Sequence, residues 1–426
     1  MLAGTLWAAP AGAGDWRRDG LKLENQPAGL EIGLSGYLQF DARRYVGWES
    51  ADPLAKPLRD TFDVRRARSG LELRWRRLSA EWDFDWSGPA NDVLDAGEPP
   101  YDGAEMKDLK LGYELHQALA LTGGHFKIPV SPEFLTSASK TDFVERSMLA
   151  NSVGPDREWG LMASGELWKA RLEYHAGVFA GDGRLADTRA GTTFAARLVG
   201  KAASDLSIGG SFSTGEVEAQ PGGPQDDTSP KGFQGRSPTG FRFYERKYVD
   251  GRRLRWGLDA AFVRGPWSVK GEWLQGREER LGQSSTLTDL PVQVASGWSF
   301  TASWIVTGDK KARTLEPERG LPTGPGLVEI AARYEEIRFD DAGPSRGFAS
   351  AGSRASDIRP GGDRVIWGGV SWLPTSFVRL YADVLLERYQ DELSAPEPPG
   401  SPDLGHRPKG RGSYVSFIAR LQFMIP

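Results

Sequence analysis

The chain has 426 residues, a net charge of −4, no cysteine, 53 glycines, 15 tryptophans and 11 tyrosines. Without cysteine there is no disulfide or thiolate metal site, and the near-neutral charge gives no global basic field of the kind nucleic-acid binding uses. No run of ~18 apolar residues follows the N-terminus, so a membrane location would require a closed barrel, the one non-helical way to satisfy every backbone group in lipid.

Leu2 to Ala13 is apolar, rich in small residues and ends in Ala11-Gly12-Ala13, an A-x-A cleavage pattern. Residues 1–13 are read as a signal-peptide remnant, 14–32 as an N-terminal periplasmic segment and 33–426 as one barrel domain. Strand-like alternation starts at once. Leu34, Gly36, Leu38 and Phe40 alternate with Ser35, Tyr37, Gln39, Asp41 and Arg43. In Val64–Arg77, Arg66, Arg68, Glu72, Arg74 and Arg76 share one parity, and Leu71, Leu73 and Trp75 the other. A turn at Leu78-Ser79 would set Arg76 against Glu81, Arg74 against Asp83 and Trp75 against Trp82, pairing charges on one face and aromatics on the other. Period two recurs around Leu172–Val178, Trp298–Trp304, Val378–Val384 and Val415–Phe423. These runs are ~10–14 residues long, the length that crosses a bilayer at a tilt rather than that of a soluble sandwich strand.

Connections alternate as well. Short ones fall near Arg77–Ser79, Leu115–Ala118, Gly165–Trp168, Gly200–Ser204, Gly265-Pro266 and Pro374–Ser376. Long Gly/Pro/Asp-rich ones cover 45–61, 88–105, 128–156, 181–191, 215–251, 277–293, 340–362 and 391–411. Short periplasmic turns and long outer loops predict an all-β, transmembrane antiparallel barrel of about sixteen strands. One segment, 309–325, is long where parity demands a short turn.

Several stretches together resemble the phosphate-selective porin O and P family. They include Gly36-Tyr-Leu-Gln-Phe-Asp41, Val64-Arg-Arg-Ala-Arg68, Gly124-His-Phe-Lys-Ile-Pro129, Pro132-Glu-Phe-Leu-Thr-Ser137, Phe143-Val-Glu-Arg-Ser147, Pro155-Asp-Arg157, Ala302-Ser-Trp-Ile-Val-Thr-Gly308, Glu329-Ile-Ala-Ala-Arg-Tyr334 and Val378-Arg-Leu-Tyr-Ala-Asp383. The resemblance implies a sixteen-stranded, homotrimeric porin of the bacterial outer membrane whose third outer loop folds into the pore.

In such a barrel the working residues are pore-lining charges, because selectivity comes from pore width and rings of side chains. Lys127, Lys140, Arg146 and Arg157, in and around loop 128–156, are the candidate constriction and anion-binding residues. Arg43, Arg66, Arg68, Arg74 and Arg76 are a candidate lumen row. Arginine can also be spent on a neighbouring carboxylate: Arg146 follows Glu145, and Arg157 lies between Asp156 and Glu158. Lys127 and Lys140 have no obvious sequence-local partner and are the stronger solute candidates. The function expected is passive diffusion of small solutes, with preference for phosphate or other small anions. The alternative is a structural barrel that sheathes or anchors a partner such as a cytochrome. The expected partners are small anions, outer-membrane lipid and lipopolysaccharide; no nucleic acid, cofactor, metal or catalytic residue is expected. Ser137-Ala-Ser-Lys140 matches a short nucleophile pattern without its companion motifs, and the four histidines show no metal spacing.

Overall fold

The computed structural model describes residues 21–50, 58–87, 104–181, 191–217, 232–244, 246–247, 249–283, 288–312, 314–341, 361–391 and 410–425. The expected signal segment 1–13, and most of the outer connections 88–105, 340–362 and 391–411, lie outside these residues.

A short strand β1 (Leu21–Asn25), inside the expected periplasmic segment, is followed by β2 (Leu30–Ser50), β3 (Thr61–Trp75), β4 (Leu78–Asp85), β5 (Glu105–His116) and β6 (Leu119–Lys127). Next come β7 (Arg157–Leu167), β8 (Leu172–Phe179), β9 (Thr193–Ala203) and β10 (Leu206–Val217). A small hairpin, β11 (Gly235–Arg236) and β12 (Arg242–Tyr244), interrupts the series. It resumes with β13 (Gly251–Arg264), β14 (Trp267–Arg280), β15 (Leu290–Ile305), β16 (Leu327–Asp341), β17 (Gly361–Thr375), β18 (Val378–Asp391) and β19 (Gly410–Ile425). Each long strand pairs antiparallel with its neighbour in the chain, β10 pairs directly with β13, and β19 pairs with β2. The sheet is therefore a closed sixteen-stranded barrel made of β2–β10 and β13–β19.

Alternation decides which side chains meet lipid. In β9, Thr193, Ala195, Arg197 and Val199 are buried, whereas Phe194 and Leu198 are exposed. Exposed aromatics stack on the outer wall: the Trp267 and Trp304 rings lie 5.0 Å apart and nearly parallel at 7°. Indole rings at the strand ends suit the polar–apolar boundary of a bilayer.

The first turn differs from the expected one. It falls at Arg76-Arg77, with Arg76 at φ 56° and Trp75 opposite Leu78. Two-residue hairpin turns favour positive φ because it matches strand twist. Register moves accordingly: Leu71 faces Trp82, Gly70 faces Asp83 and Arg68 faces Asp85. Arg76 is thus an exposed turn residue over the Trp75 ring and leaves the lumen row.

The hydrophobic core lies inside the barrel. Ile128, Phe143, Val144, Met148 and Leu149 of segment 128–156, and Phe233, Phe241 and Phe243 of the second inward segment, cluster with Ile337, Phe339, Val365, Trp367 and Leu385 of the wall. Both segments thus fold inward and fill the lumen against β14–β19. The long connection at 306–326 also has a physical account. Leu315 packs with Ile305, Leu327 and Leu373, and Met424 adjoins them, while Trp372 Nε1 donates to Pro325 O at 2.8 Å. The segment is a built floor under the same half of the barrel.

Candidate pore constriction

The inward loop is shaped by two short helices, α1 (Pro132–Leu135) and α2 (Met148–Ser152). Each is capped by a serine: Ser131 Oγ accepts from Phe134 N, and Ser147 Oγ accepts from Ala150 N, both at 3.1 Å. Capping satisfies amides that would otherwise be orphaned inside the barrel. Loop backbone also bonds wall carboxylates. Met148 N donates to Glu335 at 2.8 Å, and Val144 N donates to Asp383 at 2.9 Å.

Glu145 is the main anchor. Arg65, Arg66, Arg420 and Arg43 surround its carboxylate at 2.6, 2.7, 3.2 and 3.7 Å. Arg420 also pairs with Asp41 at 2.6 Å and donates to Val144 O. A β-bulge makes this cluster possible. Gln39 pairs with Arg66 but Phe40 pairs with Val64, so Arg65 is an extra residue and two consecutive arginines reach the same carboxylate. Burial alone raises the Glu145 carboxyl, yet the guanidinium groups of Arg65, Arg66, Arg420 and Arg43 hold it well below the usual carboxylate range. Arg43 and Arg66, predicted to line a path, are loop anchors instead. Alternation alone could not reveal Arg65, which sits on the wrong parity, or the distant Arg420.

A second group of cations gathers around Lys127 and Arg146. Lys127 Nζ donates to Leu135 O at 3.2 Å and Thr136 O at 3.3 Å, and lies 5.7 Å from the Phe134 ring centre. Lys127 therefore has local partners, contrary to expectation, but they are carbonyls and not carboxylates. Arg146 donates to Glu133 O at 3.2 Å and Thr136 O at 2.6 Å; it reaches loop carbonyls, not the carboxylate of Glu145. Burial, followed by repulsion from Arg66, Arg68 and Arg157, pushes Arg146 down to about 10. Arg157 pairs with Asp108 at 2.9 Å and Asp156 at 3.3 Å, and Arg68 pairs with Asp85 at 2.8 Å. The Tyr37 hydroxyl is close enough to interact with Arg68, Arg146 and Arg157, and is buried without a hydrogen-bond partner among the described residues.

Lys127, Arg146, Arg157 and Arg68, drawn from both predicted groups, are thus brought together with three carboxylates, Asp85, Asp108 and Asp156, on four cations. Lys140 is exposed on the loop, and Arg74 stands apart with Glu31 and Glu72. Beside the cations, carboxylate oxygens of Glu81, Asp83 and Asp108 lie within 4.8 Å of one another, with Lys110 2.7 Å from Glu81. Gly70 leaves room for this group, since a Cβ there would come 2.0 Å from Asp83 Oδ1.

The remaining water path follows these residues. Side chains of Lys110, Glu81 and Arg74 keep 32, 30 and 25% exposure, whereas Arg420 is at 0% and Arg379 at 2%. The loop closes the lumen against β14–β19 and β2, and leaves charges on β3–β5 in contact with water.

Residues 47–406 match the family described as phosphate-selective porin O and P. The chain belongs to that family. It is therefore a porin, integral to the outer membrane. Solved structures agree on the fold at low identity. The outer membrane channel DcaP of Acinetobacter baumannii is 12% identical, with a TM-score of 0.55 over 95% of this chain and 100% of that one. The anion-selective porin from Comamonas acidovorans is 13% identical, with a TM-score of 0.52 over 93% and 99%. The trimer form of OmpT from Vibrio cholerae is 11% identical, with a TM-score of 0.53 over 93% and 100%. No curated protein matches the chain in sequence.

Proposed function

We propose that this porin prefers small anions, phosphate among them, and that Lys127, Arg146, Arg157 and Arg68 create the preference. The carrying observation is the surplus of cations over carboxylates where the loop meets the water-facing wall. A solute in that gap lies within the ~8–10 Å over which charge is weakly screened. Arginine offers paired donors that suit an oxyanion, and lysine a point charge. The adjacent Glu81, Asp83 and Asp108 limit the preference to a graded one. Lys140, exposed on the same loop, adds to the field at the entrance. A barrel that sheathes a partner protein is disfavoured, because the inward segments fill the space such a partner would occupy.

The test is the reversal potential across a planar bilayer in a salt gradient, with chloride and then phosphate. Lys127→Gln/Arg146→Gln should lower the anion-to-cation permeability ratio several-fold, whereas Arg146→Lys, which keeps the charge, should leave it near the parent value. An unchanged reversal potential in the folded double variant would remove these residues from the pore. We further propose a homotrimer, by analogy with the trimer form of Vibrio cholerae OmpT, embedded in lipid and lipopolysaccharide through its outward aromatic faces. Closure of single insertions in three steps, in the same recordings, tests it.

A further inference from the structure

The floor segment 306–326 reaches the inward loop through Lys311. Lys311 Nζ is 2.7 Å from Asp142 Oδ1 of the loop and also donates to Glu329 of β16. The other Asp142 oxygen is 2.7 Å from Lys270 of β14, and Glu329 is 3.2 Å from Arg379 of β18. The result is a row of alternating charge, Lys270–Asp142–Lys311–Glu329–Arg379, crossing beneath the loop from β14 to β18. Lys311 is almost fully buried, and its own amide donates to Gly265 O at 2.8 Å. The floor is fixed independently of this row, since Leu321 N donates to Pro374 O at 2.8 Å and Glu318 N donates to Asp309 at 2.8 Å.

We propose that Lys311 is a positioning residue, a strut by which the periplasmic connection holds the inward loop at Asp142 and so sets the width and steadiness of the water path. The loop is also fastened to β2, β3 and β19 through Glu145, and to β16 and β18 through Met148 N, Glu133 and Val144 N; Asp142 is its tie to the floor segment. A connection as short as its six periplasmic counterparts could not place a cation there, which explains why this one is long. The inference does not depend on whether the path prefers anions.

The experiment compares Lys311→Met, Asp142→Asn, the double variant and Lys311→Arg in planar bilayers, using full-length protein with barrel integrity checked by its migration on unheated gels. The strut requires both single variants to change the same way: open-channel current noise rising at least two- to threefold, with a broadened conductance distribution. The double variant should then add little to either single one, and Lys311→Arg should restore the parent record. If the two side chains merely contributed charge to the path, removing a cation and removing an anion would shift the reversal potential in opposite directions and leave the noise alone. That outcome, or additive effects in the double variant, overturns the proposal. Should Lys311→Met fail to fold, Asp142→Asn still decides, because it breaks the same contact from the loop side and leaves Lys311 neutralised by Glu329. A folded Asp142→Asn channel as quiet as the parent rules the strut out.

Discussion

The two halves of the lumen are built by opposite rules. On β14–β19 and β2, lumen-facing side chains are buried under the inward segments and behave as a protein core: Trp367 is at 1% exposure, and its indole donates to Glu335 at 2.7 Å. On β3–β5 the same parity carries charges that keep contact with water, among them Lys110, Glu81 and Arg74. Charge on the first half, together with Arg65 and Arg66 of β3, is spent on holding the loop, and the other charges on the second keep contact with water. A lumen position therefore reveals its role only once the loop's side is known, which is why Arg66 and Arg68, neighbours in the predicted row, end with different partners, Glu145 and Asp85.

The sharpest way to break this contrast is to remove the anchor. Glu145→Gln leaves Arg43, Arg65, Arg66 and Arg420 facing one another without their shared carboxylate. Leaving buried charge unpaired costs about 3–5 kcal/mol. The temperature at which the barrel loses its compact gel migration should fall markedly, and open-channel noise should rise. A variant as stable and quiet as the parent would show that the closed half is not held by this cluster.

A milder probe is pH. Since the arginines depress the Glu145 carboxyl, its contribution is complete above the ordinary carboxylate range and is lost only as pH falls through the lowered value. Channel noise should therefore stay flat from neutral pH down to about pH 4, where an ordinary glutamate is already protonating, and rise only below that. Noise rising near the ordinary glutamate value would contradict the anchor. The smallest effect is expected from a matched pair of charge changes. Lys110→Gln, on the open half, should shift the reversal potential modestly toward cations. Glu387→Gln, buried beside the Tyr414 hydroxyl on the closed half, should leave it unmoved. Equal shifts would erase the distinction between the halves.

Much of this was legible beforehand, and the failures have identifiable causes. Period two located the strands, because lipid on one side and polar lumen on the other impose it. It also carried an unused signal. Val365-Ile366-Trp367 and Val384-Leu385-Leu386 are apolar on both parities, as a wall must be where a loop covers its inner face. Reading those breaks would have located the closed half. The cations at the constriction were legible as residue types near loop 128–156, but their partners were not. Lys127 and Arg146 bond carbonyls of residues 133–136, which only the fold of α1 brings within reach. The bulge at Arg65 and the reach of Lys311 depend on register and loop course, which a single sequence does not encode locally.

The short strand β1 has a consequence for how the barrel is sealed. β19 pairs with β2 only as far as Gly36, opposite Ile425, while β3 covers the other edge of β2 down to Leu30. Residues Leu30–Leu34 would then offer a bare row of amides and carbonyls at the barrel's closing seam. Leu21–Asn25 turns back through Gly29, at φ 63°, and takes that place in register, Leu21 opposite Leu34 and Asn25 opposite Leu30. β19 is in effect lengthened by β1. An unpaired edge is a template for any other extended chain, and in the periplasm, where unfolded barrels await insertion, the most abundant match would be another copy of the same seam. β1 acts as a guard against that encounter.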